Sequence, residues 1–153
     1  MQGSQRRVVL TARPRGMPQE SDFGVESAPL PAVGAGQLLC QNLYLSLDAG
    51  FRNWMDEGSG DNVLPAMPIG APVMGLALCR VAVSRHPGHQ VGDLLMARLA
   101  WEEFSLTDGG DFLVPVPPNP KHPLSYYLGV LGDTGLSAYF GLIDRNRFPP
   151  PRR

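Results

Sequence analysis

Glycine and proline set the terms for this chain. There are 18 glycines and 16 prolines among 153 residues, and they fall between short apolar runs rather than in one biased tract. Glycine permits a positive φ; proline fixes φ and removes a backbone donor. A chain interrupted this often favours short strands joined by turns over long helices.

The periods between the breaks agree. Residues 8–10 form a short apolar strand, closed by Pro14 and Gly16. In residues 23–27, Phe23 and Val25 alternate with Gly24 and Glu26, which predicts a half-buried strand with Phe23 and Val25 on one side. Pro29 and Pro31 are expected to break it. Residues 37–47 are the longest strand candidate, since Leu39, Asn42, Tyr44 and Leu45 do not make a helical stripe. Residues 48–72 hold Gly50, Gly58, Gly60, Pro65, Pro68, Gly70 and Pro72 and read as loop. Strand character returns over residues 73–83, and His86-Pro87-Gly88-His89 then marks a turn. Residues 94–101, 104–106 and 112–116 are further strands. Residues 115–123 are extended and proline-rich.

After that the period changes. Leu124, Tyr127, Leu128 and Leu131 recur at helical spacing, as do Leu136, Tyr139, Phe140 and Ile143. Two short helices around a break at Gly132 and Gly135 are predicted. Residues 144–153 are basic and proline-rich, and a frayed tail is expected. The whole is one domain, mainly β, of about six to eight short strands followed by a helical C-terminus.

Charge and cysteine narrow the setting. The formal net charge is −1, which offers no general attraction to nucleic acid or an anionic membrane. No apolar run approaches the ~18 residues needed to span a bilayer. The basic N-terminus has no apolar stretch after it, so it does not resemble a secretory signal. A cytoplasmic protein is expected. Cys40 and Cys79 each sit in an apolar run, which predicts buried free thiols rather than a disulfide.

Motifs for other chemistries do not assemble. Gly34-Ala35-Gly36 and Gly58-Ser59-Gly60 each lack the third glycine of a dinucleotide fingerprint, and neither stands between a strand and a helix. A catalytic zinc needs three N, S or O ligands and a structural one four. His86 and His89 bracket Pro-Gly in a turn, His122 lies in a proline-rich loop, and no metal is expected. No G-x-S-x-G elbow appears.

Asn42-Leu43-Tyr44-Leu45-Ser46-Leu47-Asp48, with Arg52 after it, resembles the "NLYLSLDPYMR" segment of the zinc-independent, NADP(H)-dependent medium-chain reductases. That group holds the leukotriene B4 dehydrogenase/prostaglandin reductases, the alkenal double-bond reductases and curcumin reductase. Further segments agree in order. They are Arg6-Arg7-Val8-Val9-Leu10 with Arg13-Pro14 and Gly16-Met17-Pro18, then Pro29-Leu30-Pro31, then Val91-Gly92-Asp93 and Trp101-Glu102-Glu103-Phe104. The last is Gly135-Leu136-Ser137-Ala138-Tyr139-Phe140-Gly141-Leu142, similar to the "GLTAYFGL" hinge helix. The resemblance covers about residues 6–143. It implies a GroES-like, partly open β-barrel with short C-terminal helices over residues 1–143, followed by the tail at 144–153.

The resemblance also implies an activity. The family reduces activated C=C bonds of α,β-unsaturated carbonyl compounds, passing hydride from the nicotinamide to the β-carbon. Its members continue into a Rossmann domain, whose glycine motif is absent here, so NADP(H) is not expected to bind tightly to this chain alone. A reductase domain inactive by itself is therefore expected. Its uncovered apolar surface points to a homo-oligomer or a separate nucleotide-binding partner. Two alternatives stay open: a non-redox module for a small apolar ligand or protein partner, and a cofactor-free, cyclase-like enzyme on the same fold.

Departures from the family mark the candidate site. Where relatives have Pro-Tyr-Met-Arg, this chain has Ala49-Gly50-Phe51-Arg52; Phe51 keeps an apolar surface for substrate. Arg52 either steers an anionic group or ties the loop to an acid such as Asp48. Asp133-Thr134 replaces the family's Met-Pro beside the nicotinamide. Asp133 either caps the helix or, if desolvated, contacts substrate as an acid/base group. Ser137 keeps the hydroxyl that in relatives can touch the cofactor. Tyr139 is packed, or presents its phenol to the cleft as a catalytic group.

Overall fold

The computed structural model describes residues 3–60, 64–117, 119 and 121–143. Seven strands follow in chain order: β1 (Ser4–Leu10), β2 (Phe23–Pro29), β3 (Leu38–Leu45), β4 (Met74–Ser84), β5 (Leu94–Ala100), β6 (Phe104–Thr107) and β7 (Leu113–Pro115). One helix, α1 (Asp133–Ile143), closes the described chain, and short 3-10 helices lie at Glu20–Asp22, Ala49–Met55 and Leu124–Leu128. The predicted tail at 144–153 lies outside the described residues.

The strands form two antiparallel sheets. β1 and β2 pair alone, and the other five run in the order β6-β3-β4-β5-β7. Two single bridges, Arg7 with Glu102 and Val9 with Pro72, join the sheets into an open, unclosed barrel. Pro115 ends edge strand β7, a position where a proline costs no interior ladder bond.

β5 shows how sequence becomes packing. In Leu-Leu-Met-Ala-Arg-Leu-Ala, exposure alternates strictly, because successive side chains point to opposite faces. Leu95, Ala97 and Leu99 join Leu38, Cys40, Ala77, Cys79 and Val81 in one sealed cluster. Leu94, Met96 and Arg98 point the other way, to the face that carries the cleft described below. Cys40 and Cys79 are fully buried free thiols within this cluster. A hydrogen bond with Cys40, together with burial, raises Cys79 above the ordinary thiol range, so it holds its proton.

Three expectations change. β2 runs on through Pro29, which pairs with Ser4 at the end of a two-stranded ribbon. Val25 faces solvent at 73% exposure while Ala28 is buried; on Val25's side of the strand, Phe23 stacks on Trp101, and nothing among the described residues covers Val25. The stretch 48–72 is irregular but far from loose. Phe51, Met55, Leu64, Met67 and neighbouring Val73 build a second core with Leu10. Arg13 fastens it, donating to the carbonyls of Met55 (2.7 Å) and Met67 (2.6 Å).

A polar network locks the N-terminus to the sheet. Asn42 donates to the carbonyls of Ala100 and Glu102, at 3.1 and 2.8 Å, and to the Ser105 hydroxyl at 3.0 Å. Ser105 donates to Glu102 at 2.7 Å, and Gln5 accepts from the Phe104 amide at 2.7 Å. Burial holds the Glu102 carboxyl above its ordinary range, against the lowering effects of Ser105, Arg7 and Gln5.

Candidate functional site

The outer face of β4, β5 and β7 is partly covered. The Ala49–Met55 turn borders it on one side and residues 127–136 on another, and between them lies a cleft of about 650 Å3. The strands contribute Leu76, Met96, Arg98, Val114 and Pro115, with Phe112 and Val116 beside them. The turn contributes Asp48, Gly50, Phe51 and Trp54. The C-terminal segment contributes Tyr127, Leu131, Gly132, Asp133 and Leu136. The lining is mainly apolar, with one cation and two carboxylates, as suits a small organic ligand held by a few polar groups.

Local structure places each wall. The Phe51 amide donates to the Asp48 carbonyl at 3.1 Å, which starts the turn. Phe51 and Trp54 then stack edge-to-face at 5.2 Å. On the other side the chain folds back tightly before α1. A Cβ at Gly132 would collide with the Tyr127 carbonyl, and one at Gly135 with the Val130 carbonyl, so both positions need a bare backbone. Tyr127 donates its phenol to the Pro117 carbonyl at 2.9 Å.

The predicted site residues separate. Phe51 and Asp133 reach the cleft. Asp133 is the first residue inside α1 rather than a cap before it, because the bend at Gly132 lets the helix begin there. An anion suits that end of the helix dipole. Arg52 is not in the lining. Its guanidinium donates to the carbonyls of Pro14 and Gly16, each at 3.0 Å, and pairs with Asp56 at 2.7 Å rather than with Asp48. It acts as the strap that holds the turn. Ser137 and Tyr139 lie outside the lining and are exposed. Tyr139, at 57% exposure, touches Phe140 edge-to-face at 5.4 Å and is not packed into the fold.

Sequence reasoning missed Leu76, Met96 and Arg98. All three sit in strands whose alternation looks ordinary, and only the lone charge inside Leu-Leu-Met-Ala-Arg-Leu-Ala hinted at a face of its own. His86 and His89 stay in their turn. The Gly88 amide donates to Nδ1 of His86 at 3.0 Å, and His89 approaches Asp93 at 3.7 Å. Among the described residues no group of three or more His, Cys, Asp or Glu could hold a metal ion. No described helix is long and apolar enough to cross a membrane.

An open antiparallel barrel, with an apolar cleft between its outer face and a C-terminal helix, is the architecture of a GroES-like reductase domain. Residues 6–115 match the family described as the N-terminal domain of oxidoreductase, and the chain belongs to that family. It is 37% identical over 139 residues to the NADPH-dependent curcumin reductase of Escherichia coli (strain K12), covering 91% of this chain and 39% of that protein. It is 33% identical over 141 residues to the NADP(+)-dependent 2-alkenal reductase of Nicotiana tabacum, covering 90% and 40%. Among solved structures, CurA from Vibrio vulnificus in complex with NADPH superposes with a TM-score of 0.78 at 33% identity, covering 91% of this chain and 40% of that one. The chain thus spans about two fifths of the length of these relatives.

Proposed function

We propose that this chain forms the substrate side of an NADP(H)-dependent reductase acting on the activated C=C bond of a small apolar α,β-unsaturated carbonyl compound. The cleft carries this reading: its walls are Phe51, Trp54, Leu76, Met96 and Phe112, and Asp133 stands at its edge. Such walls exclude water from the reacting carbons and hold the ligand by apolar contact. NADP(H), when bound, supplies the hydride for the β-carbon.

The dinucleotide's phosphates need a glycine turn between a strand and a helix in a parallel unit. Among the described residues every strand pairing is antiparallel, and no such turn occurs. The nucleotide therefore belongs to a second unit, in the same protein or in a partner. The face of α1 suits its docking. Leu136 and Phe140 share one face, 54% and 57% exposed, with Ser137 and Tyr139 flanking it on either side. In this arrangement Ser137 meets the cofactor and Asp133 the substrate. A second copy of this chain is the other candidate for that face.

Trp54 gives a local test. A medium-chain neutral enone should change its fluorescence saturably, and the change should vanish in Trp54→Phe. The enone plus NADPH should leave reduced-nicotinamide absorbance unchanged with this chain alone. Absence of enone binding overturns the cleft reading. Turnover by the chain alone overturns the two-unit reading.

A further inference from the structure

Arg98 is the one cation in the cleft lining, and it is placed at some cost. It stands mid-strand in β5, opposite Leu76 in β4, and its amide donates to the Phe112 carbonyl at 3.1 Å. Its side chain is only 17% exposed. A guanidinium withdrawn from water this far is normally held by several acceptors, often bidentately. Here only one nitrogen is held: NH1 meets the two Asp111 oxygens at 3.2 and 3.4 Å, and Asp111 itself is more exposed than not. The Nε and NH2 groups have no acceptor among the described residues. Neither is sealed, for no Arg98 nitrogen is among the fully buried atoms without a partner.

We infer that Arg98 is a specificity-determining anchor for a carboxylate on the ligand, so that the cleft takes an unsaturated carbonyl compound bearing a carboxylate at one end. The substrate class rests on the reading of the cleft given above. Arg98 offers free donors with fixed planar geometry, which matches a carboxylate. Leu76, Met96 and Phe112 around it offer surface for an apolar body and none for a strongly hydrated ion. The other charged groups facing the cleft, Asp48 and Asp133, are both acidic. They repel an anion everywhere except at Arg98, which fixes the ligand's direction: carboxylate on β5, uncharged end toward the turn and α1.

The experiment compares two probes of equal length in this chain, a neutral enone and an enone ending in a carboxylate, titrated by Trp54 fluorescence. The carboxylate should bind about tenfold tighter or better, and Arg98→Gln should lower the acid-to-neutral affinity ratio by about 10- to 100-fold. Asp111→Asn keeps Arg98 and removes its competitor, so the ratio should rise severalfold; this arm stands even if Arg98→Gln fails to fold. Inorganic phosphate at matched ionic strength should not displace the acid. Equal binding of both probes, an unmoved ratio in both variants, or displacement by phosphate overturns the anchor while leaving the cleft reading intact. No binding of either probe overturns both.

Discussion

The inner face of the five-stranded sheet and helix α1 are built from much the same residue types, yet they end in opposite states. Leu38, Val81 and Leu95 are sealed by strands on either side. Leu136 borders the cleft on one side, and Phe140 and Leu142 stand exposed beyond it. A curved sheet supplies its own neighbours; a single terminal helix does not. Stability is thus concentrated in the barrel, while α1 offers apolar surface for something else to cover.

Substitutions can break that contrast. Leu95→Ala should cost about 2–5 kcal/mol in urea unfolding, the range for a sealed leucine. Leu142→Ala should stay within about 0.5 kcal/mol. Equal losses would mean that helix and barrel are one cooperative body. The strap comes next in size. Arg52→Ala should cost about 1.5–3 kcal/mol, because it frees four charge-assisted bonds that tie the cleft's aromatic turn to the barrel, and urea unfolding reads this too.

The smallest effects are those of pH, and they sharpen the comparison within the barrel. Glu102 has a raised pKa, so its contribution to stability is complete below the ordinary glutamate value of 4.5 and declines as pH rises through its elevated value. Glu102→Gln should gain on the parent protein over that rise. Exposed Glu103 behaves oppositely. The Arg6 amide and guanidinium lower its pKa, so its contribution is present above 4.5 and lost as pH falls. Glu103→Gln should differ from the parent at neutral pH and converge with it in acid. Thermal melts across pH read both signs.

The barrel was legible in the sequence because period 2 and turn residues are local signals. β4 and β5 were found nearly to the residue, and the terminal helix from its 3.6 period. Phe23 and Val25 share a side as the alternation implied, but Val25's exposure was not legible, because what covers a strand face depends on distant segments such as Trp101. The core at Phe51, Met55, Leu64 and Met67 was missed because an irregular segment packs without a period. In the site, Phe51 and Asp133 were reached through family resemblance. Arg98's role was not legible beyond its being a lone charge in an apolar strand, because a strand's outer face becomes a cleft wall only when distant segments cross it. Ser137 and Tyr139 missed the lining because the helix's start, set by crowding at Gly132, decides which way they point.

The lock between residues 5 and 42 and residues 100–105 has a consequence for the birth of the molecule. β3, the partner of β6, emerges from the ribosome some sixty residues before it, and Gln5 waits for Phe104, 99 positions downstream. No prefix that stops short of β6 can complete this barrel. β1 can pair with β2, and β3 with β4, as they emerge, but the outer edge of β3 stays bare until β6 has been synthesised. Such distant pairing makes folding slow and late, on the order of milliseconds to seconds once the last strand is available. The nascent chain is therefore most vulnerable to aggregation over the interval between translating its third strand and its sixth.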